Sequence, residues 1–168
     1  LVDLPPEPST NALLRRRLDR VVHRPAALPG VAAVPAGSPD RLGAALARAR
    51  TWPGPVLVDC PPGGDGRVAE PLRTCDRGLV VTTDRPQSLE DARKTCRLLR
   101  ALGSTPSGTA VRLTGEKSLV TETDSIADAE PGDLPSVLAR IPAASSPLAD
   151  PRLRAAYARL ADALFPRP

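Results

Sequence analysis

The sequence predicts an α/β fold: a three-layer sandwich with helices on both faces of a mainly parallel sheet, formed as a single domain over residues 1–168. Three observations carry this. Short apolar runs at Pro55–Asp59, Gly78–Thr83, Gly108–Leu113 and Val137–Ile141 have the length and composition of buried strands. Segments whose apolar residues recur at helical spacing lie between them, and buried strands joined by crossover helices are the condition of a parallel sheet. The run at 55–59 ends in one carboxylate, Asp59, and a Pro-Pro-Gly turn follows Cys60. An acid delivered to the carboxyl end of a strand is how open α/β sheets build ligand sites.

Taken in order, Ser9 or Thr10 is placed to cap a first helix carrying Leu13, Leu14 and Leu18. Val31–Pro35 reads as a short strand. Ser38-Pro39 opens a second helix with Leu42, Leu46 and Ala49 on one stripe, since proline suits the first helical turn. Pro55–Asp59 is the next strand. Val68–Cys75 reads as a short helix interrupted by Pro71. The clean apolar run Gly78–Thr83 precedes the strongest helix, Ser88–Leu102. There Ser88-Leu-Glu-Asp91 has the form of a capping box with Asp in place of Glu or Gln. Leu89, Ala92, Cys96 and Leu99 share its apolar stripe, and Gly103 stops it. Gly108–Leu113 and Val137–Ile141 are strands, with a polar, irregular stretch at Thr114–Pro135 between them. Asp150-Pro151 caps the last helix, whose predicted buried stripe is Leu153, Tyr157, Leu160 and Leu164.

Composition narrows the function classes. Aromatic residues are 2% of the chain, so the core must be built from Leu, Val and Ala. That also argues against a nucleic-acid face made of stacked aromatics. The net charge of +4 is mild, and its basic surplus is amino-terminal, with Arg15-Arg16-Arg17 reading as a solvated face rather than a nucleic-acid site. Three cysteines without a Cys-x-x-Cys, and a single histidine, give no zinc spacing. An odd number of cysteines without such a motif fits a reducing, cytoplasmic compartment. No apolar run is long enough to span a bilayer as a helix. The last helix lacks the net basic face that anionic lipid would need, so attachment through the carboxyl terminus is not expected. Position 1 is Leu, from which residues upstream are expected.

Read alone, Pro55-Val-Leu-Val-Asp-Cys-Pro-Pro-Gly63 is either a core strand ending in an Asp-initiated turn or a metal-holding carboxylate followed by a switch loop. The stretch resembles the Walker B and switch II segment of MinD/ParA-type ATPases, a branch of the P-loop nucleotide hydrolases. The resemblance runs on in order. Gly30-Val-Ala-Ala-Val-Pro-Ala-Gly37 is similar to the family strand ending in Pro-x-Gly. Leu79–Arg93 is similar to the segment with Thr, Pro and Ser-Leu before a helix, Leu98–Gly103 to the end of that helix, and Ile141-Pro142 to the Ile-Pro before the last nucleotide-side loop. Together these cover roughly residues 30 to 165.

The resemblance implies ATP and Mg²⁺ as cofactors and a homodimer bridged by ATP, in proteins that position cell-division or chromosome-partitioning machinery. It implies Asp59 as the catalytic and metal-holding carboxylate, and Gly63 near the γ-phosphate. Pro61 and Pro62 would shape the switch turn, with Arg112 and Pro142 beside the base. The chain departs from the family at two points. It has no Gly-x-x-x-x-Gly-Lys-Ser/Thr loop; Gly103–Gly108 and Gly115–Ser118 carry fragments of that spacing and read as turns. Val111 stands where the family's adenine-reading Asn is expected, beside the retained Arg112. The expectation is therefore the carboxyl-terminal part of such an ATPase, lacking the Walker A segment and inactive by itself. The alternatives are a non-catalytic relative that binds a partner protein and an unrelated Rossmann-type ligand-binding domain.

Overall fold

A computed structural model describes residues 5–26, 28–61, 66–114, 134–144 and 149–166. The chain divides into two units, Leu1–Thr74 and Cys75–Pro168.

The amino-terminal unit is short helical turns and loops around a small core of Leu13, Val21 and Ala45. The predicted first helix is instead two 3-10 turns, Thr10–Leu14 and Leu18–Arg20. Its intended cap is diverted: the Ser9 hydroxyl donates to Glu7 Oε1 at 2.9 Å rather than serving the helix amides. The predicted strand Val31–Pro35 is reduced to one antiparallel bridge between His23 and Ala33. Pro25, Pro29 and Pro35 lack the N–H groups a longer ladder would need. Helix α1, Leu42–Ala49, follows a 3-10 turn at Pro39–Arg41 and buries Ala45 and Leu46. Helix α2, Gly66–Thr74, continues through Pro71 where an interruption is expected. The proline ring is fully buried, and that burial offsets a lost helical hydrogen bond.

Residues 55–60, read from sequence as a strand, belong to no strand in the structure. Among the described residues no strand pairs with them, and Leu57 is 79% exposed. β-branched residues favour an extended backbone. A ladder also needs a neighbouring backbone in register, and among the described residues no strand supplies one.

The carboxyl-terminal unit is the α/β sandwich. Strand β1, Gly78–Thr83, leads to helix α3, Pro86–Ala101, and on to β2, Pro106–Arg112; β3, Val137–Ile141, precedes helix α4, Pro151–Leu164. The sheet order is β1-β2-β3 and both pairings are parallel. Leu99 of α3 lies against the Gly78 backbone, whereas Leu79 packs against the cluster that Leu153, Ala156 and Leu160 of α4 form with Ala110, Ala139 and Ile141. Consecutive strand residues point to opposite faces, so α3 and α4 cover opposite sides of the sheet. The α3 stripe is as expected, with Leu89, Ala92, Cys96 and Leu99 all buried. Gly103 ends the helix region with φ +75°, a conformation that strains any residue with a Cβ.

Two helix details differ from expectation. Helix α3 begins at Pro86, two residues early, and the capping box is not used: Ser88 Oγ accepts from Thr83 Oγ1 at 2.8 Å. On α4 the buried stripe is Leu153, Ala156 and Leu160, while Tyr157 is 52% exposed. The close seat against β3 takes the small Ala156, and the tyrosine hydroxyl stays in water.

The Asp150 cap is as expected, accepting from the Arg152 amide at 2.8 Å and pairing with its guanidinium at 2.9 Å. The hydrogen bond from the Arg152 side chain, then that from its amide, hold the Asp150 carboxyl below its ordinary value. A carboxyl depressed in the folded state stabilises above its unfolded pKa and loses that contribution as pH falls through the lower folded value. The Asp150→Asn variant is therefore expected to melt below wild type at neutral pH. The gap should close as pH drops below about 4, the ordinary carboxylate range. Melting temperatures of both proteins across acid pH check this; a gap independent of pH would overturn it.

Candidate functional site

The sandwich places its strand ends in register. Thr83 pairs with Arg112, and Arg112 with Ile141, so three carboxyl ends finish in one row. The row is tied together one residue further on. The Asp84 amide donates to Arg112 O at 3.3 Å, and the Leu113 amide to Ile141 O at 2.8 Å. The Asp84 carboxylate, 8% exposed, accepts from the Thr114 amide through both oxygens, at 3.2 and 3.3 Å. Helix α3 opens beside this edge without a side-chain cap at Arg85, and the Thr83–Ser88 hydroxyl pair pins its first turn to the end of β1. Carboxyl ends of parallel strands with a helix amino terminus alongside are where open α/β sheets bind ligands.

Of the residues singled out from sequence, Arg112 and Pro142 meet on this edge. Arg112 is exposed at the end of β2 and Pro142 half-buried directly after β3. Asp59 and Pro61 belong to the amino-terminal unit, and both are exposed. The Cys60 thiol behind them donates to Val58 O at 3.9 Å, turning the side chain back along the chain. Pro62, Gly63 and the Gly115–Ser118 turn lie outside the described residues. Val111 is fully buried within the sheet and cannot reach a ligand.

The sequence reading passed over Asp84, Thr114 and the Thr83–Ser88 pair. One signal for Asp84 was present, since it ends its apolar run as Asp59 ends the earlier one. Its role is to lock the loop after β2 to the loop after β1, which sets the shape of the edge around Arg112.

Among the described residues, no three His, Cys, Asp or Glu side chains group to hold a metal ion. A magnesium ion bound with a nucleotide needs no such cage. It takes one or two carboxylates, with phosphate oxygens and waters completing the shell. The exposed Asp59 carboxylate suits that arrangement.

A parallel sheet between two helix layers, with the candidate edge at its carboxyl ends, is an α/β fold, and the chain has the form of that fold found in solved MinD structures. One similar solved structure is the cell division ATPase MinD of Pyrococcus furiosus. The TM-score is 0.76 at 15% identity, over 95% of this chain and 76% of that one. Another is the septum site-determining protein MinD of Pyrococcus horikoshii OT3, complexed with Mg-ADP. Here the TM-score is 0.78 at 16% identity, over 98% of this chain and 75% of that one. No family model and no curated protein matches the chain.

Proposed function

We infer that the chain is the carboxyl-terminal part of a MinD/ParA-like ATPase, working in the cytoplasm as an ATP-dependent dimer switch. Its task would be to position cell-division or chromosome-partitioning machinery. The observation that carries this is the likeness of fold to MinD over at least 95% of the chain. One of those structures was solved with Mg-ADP, which supports a magnesium nucleotide as ligand. In this reading residues 1–168 act as part of one nucleotide-binding domain. Asp59 would hold Mg²⁺, and Pro61, Pro62 and Gly63 would form the turn that responds to the γ-phosphate. Arg112 and Pro142 would border the base. Bound magnesium supplies charge neutralisation between the phosphates. The chain's own contribution is the placed carboxylate and a strand edge held rigid by Asp84.

A second reading, a non-catalytic scaffold that binds a partner protein, is favoured by Val111. It stands where the resemblance places an adenine-reading Asn, and its apolar, buried side chain offers a base no hydrogen bond.

Expression from the native start codon, followed by ATPase assay with and without Asp59→Ala, separates the two. The switch reading expects an upstream Lys-Gly-Gly-x-Gly-Lys-Thr segment and turnover that falls about a hundredfold in the variant, the scale of removing one charge-stabilising group. Turnover indifferent to Asp59, or an upstream frame without such a loop, would favour the scaffold.

A further inference from the structure

The amino-terminal unit carries a second feature, independent of the strand edge. An open cleft of about 630 Å³ is lined by Glu7, Asn11, Arg15, Arg16, Ser38 and Arg41. Among the described residues Arg15, Arg16 and Arg41 make no ion pair, whereas the adjacent Arg17 is paired with Asp19 at 3.2 Å. Glu7 is the one carboxylate in the lining, and its two oxygens already accept from the Ser9 amide and hydroxyl, each at 2.9 Å. Three arginines and one carboxylate thus line the cleft, leaving a surplus of positive charge.

The walls are held together. The Thr10 amide donates to Pro35 O at 2.9 Å, the Gly37 amide to Thr10 Oγ1 at 2.7 Å, and the Ser38 amide to Asn11 Oδ1 at 3.0 Å. With Oδ1 so engaged, the Asn11 amide group is left with its donors. The approach is close enough to require glycine: a Cβ on Gly37 would lie 2.6 Å from Asn11 Cγ. The cleft therefore gathers three arginines and the Asn11 donors against one engaged carboxylate, on a pinned frame.

We propose that this cleft binds a diphosphate-type oxyanion, either free or as the head of a small phosphorylated molecule. Guanidinium forks match tetrahedral oxyanions through paired charge-assisted hydrogen bonds, and two linked phosphates offer enough charge and oxygens for three arginines. The site is separate from Asp59 and needs no divalent cation.

Calorimetric titration of the full chain with inorganic pyrophosphate, at low salt and without divalent ions, tests it. One-site binding is expected, weakening with added salt as exposed charges are screened. Arg15→Ala and Arg41→Ala should each weaken it about tenfold, the worth of a hydrogen bond to a charged group. Gly37→Ala should weaken it with no change in charge, while Arg17→Ala and Asp59→Ala should leave it unaltered. These arginines are exposed, so their variants should keep the parent's far-ultraviolet circular dichroism. A phosphorylated small molecule that competes with pyrophosphate would identify the bound-head source; no competition would leave the free anion as the ligand. Absence of saturable binding would overturn the proposal. So would an equal loss in Arg17→Ala, which would mean diffuse attraction, or a hexaglutamate peptide binding more tightly than pyrophosphate.

Discussion

Purified as these 168 residues, the chain is expected to hydrolyse no ATP above an Asp59→Ala control. Phosphoryl transfer depends on fixed positive charge and N–H donors around the transferred group, and the sequence contains no Gly-x-x-x-x-Gly-Lys-Ser/Thr loop to provide them. Each such donor contributes about 2.7–4 kcal/mol to lowering the barrier, so losing several together takes turnover below detection. Neither lysine replaces the missing one. Lys94 is engaged with Asp91 at 3.0 Å on the exposed side of α3, and Lys117 lacks the glycine context. Phosphate release measured with Mg-ATP checks the expectation. Magnesium-dependent turnover that Asp59→Ala abolishes would show that a phosphate-stabilising site exists elsewhere in the chain, and the reading of the motif would have to change.

Leu99→Ala should be the most damaging single core change. Leu99 is 2% exposed, sits on the α3 stripe and lies against the Gly78 backbone at the start of β1. Truncation removes its transfer energy and leaves a cavity between helix and sheet, together costing about 2–5 kcal/mol. For a chain of this size that corresponds to a fall in melting temperature of about 10 °C. Lys94→Ala, on the solvent side of the same helix, should move stability by less than about 0.5 kcal/mol. Thermal melts followed by circular dichroism distinguish the two; equal shifts would mean that α3 does not pack through this stripe.

The parts of the fold legible in the sequence are those set by local periodicity. The limits of β1 and β3 and the whole buried stripe of α3 follow from alternation and from 3.6-residue spacing, properties a segment carries with it. Asp150 could be assigned as a cap because its partner amide, Arg152, is two residues away. The same reasoning overreached at Ser88, whose hydroxyl serves Thr83 instead, and at Tyr157, which the helix turns outward in favour of Ala156. At the candidate site, Arg112 and Pro142 were singled out through the family resemblance, and the structure puts one at the end of β2 and the other directly after β3. Asp84 was not, because its function depends on the Thr114 amide 30 residues away.

The amino-acid sequence by itself determined the α/β class, the strand propensities and the acid at the end of the 55–59 run. Only the tertiary structure decided that, among the described residues, Gly78–Thr83, Pro106–Arg112 and Val137–Ile141 pair in one parallel sheet to which 55–60 adds no strand. It also decided that Asp84 ties the strand edge and that three arginines converge on one cleft. The physical reason is common to all of these. Propensity and periodicity are encoded in neighbouring residues, but a backbone hydrogen bond, an ion pair or a shared cleft is completed by a partner distant in the chain. Which partner arrives is settled when the whole chain packs.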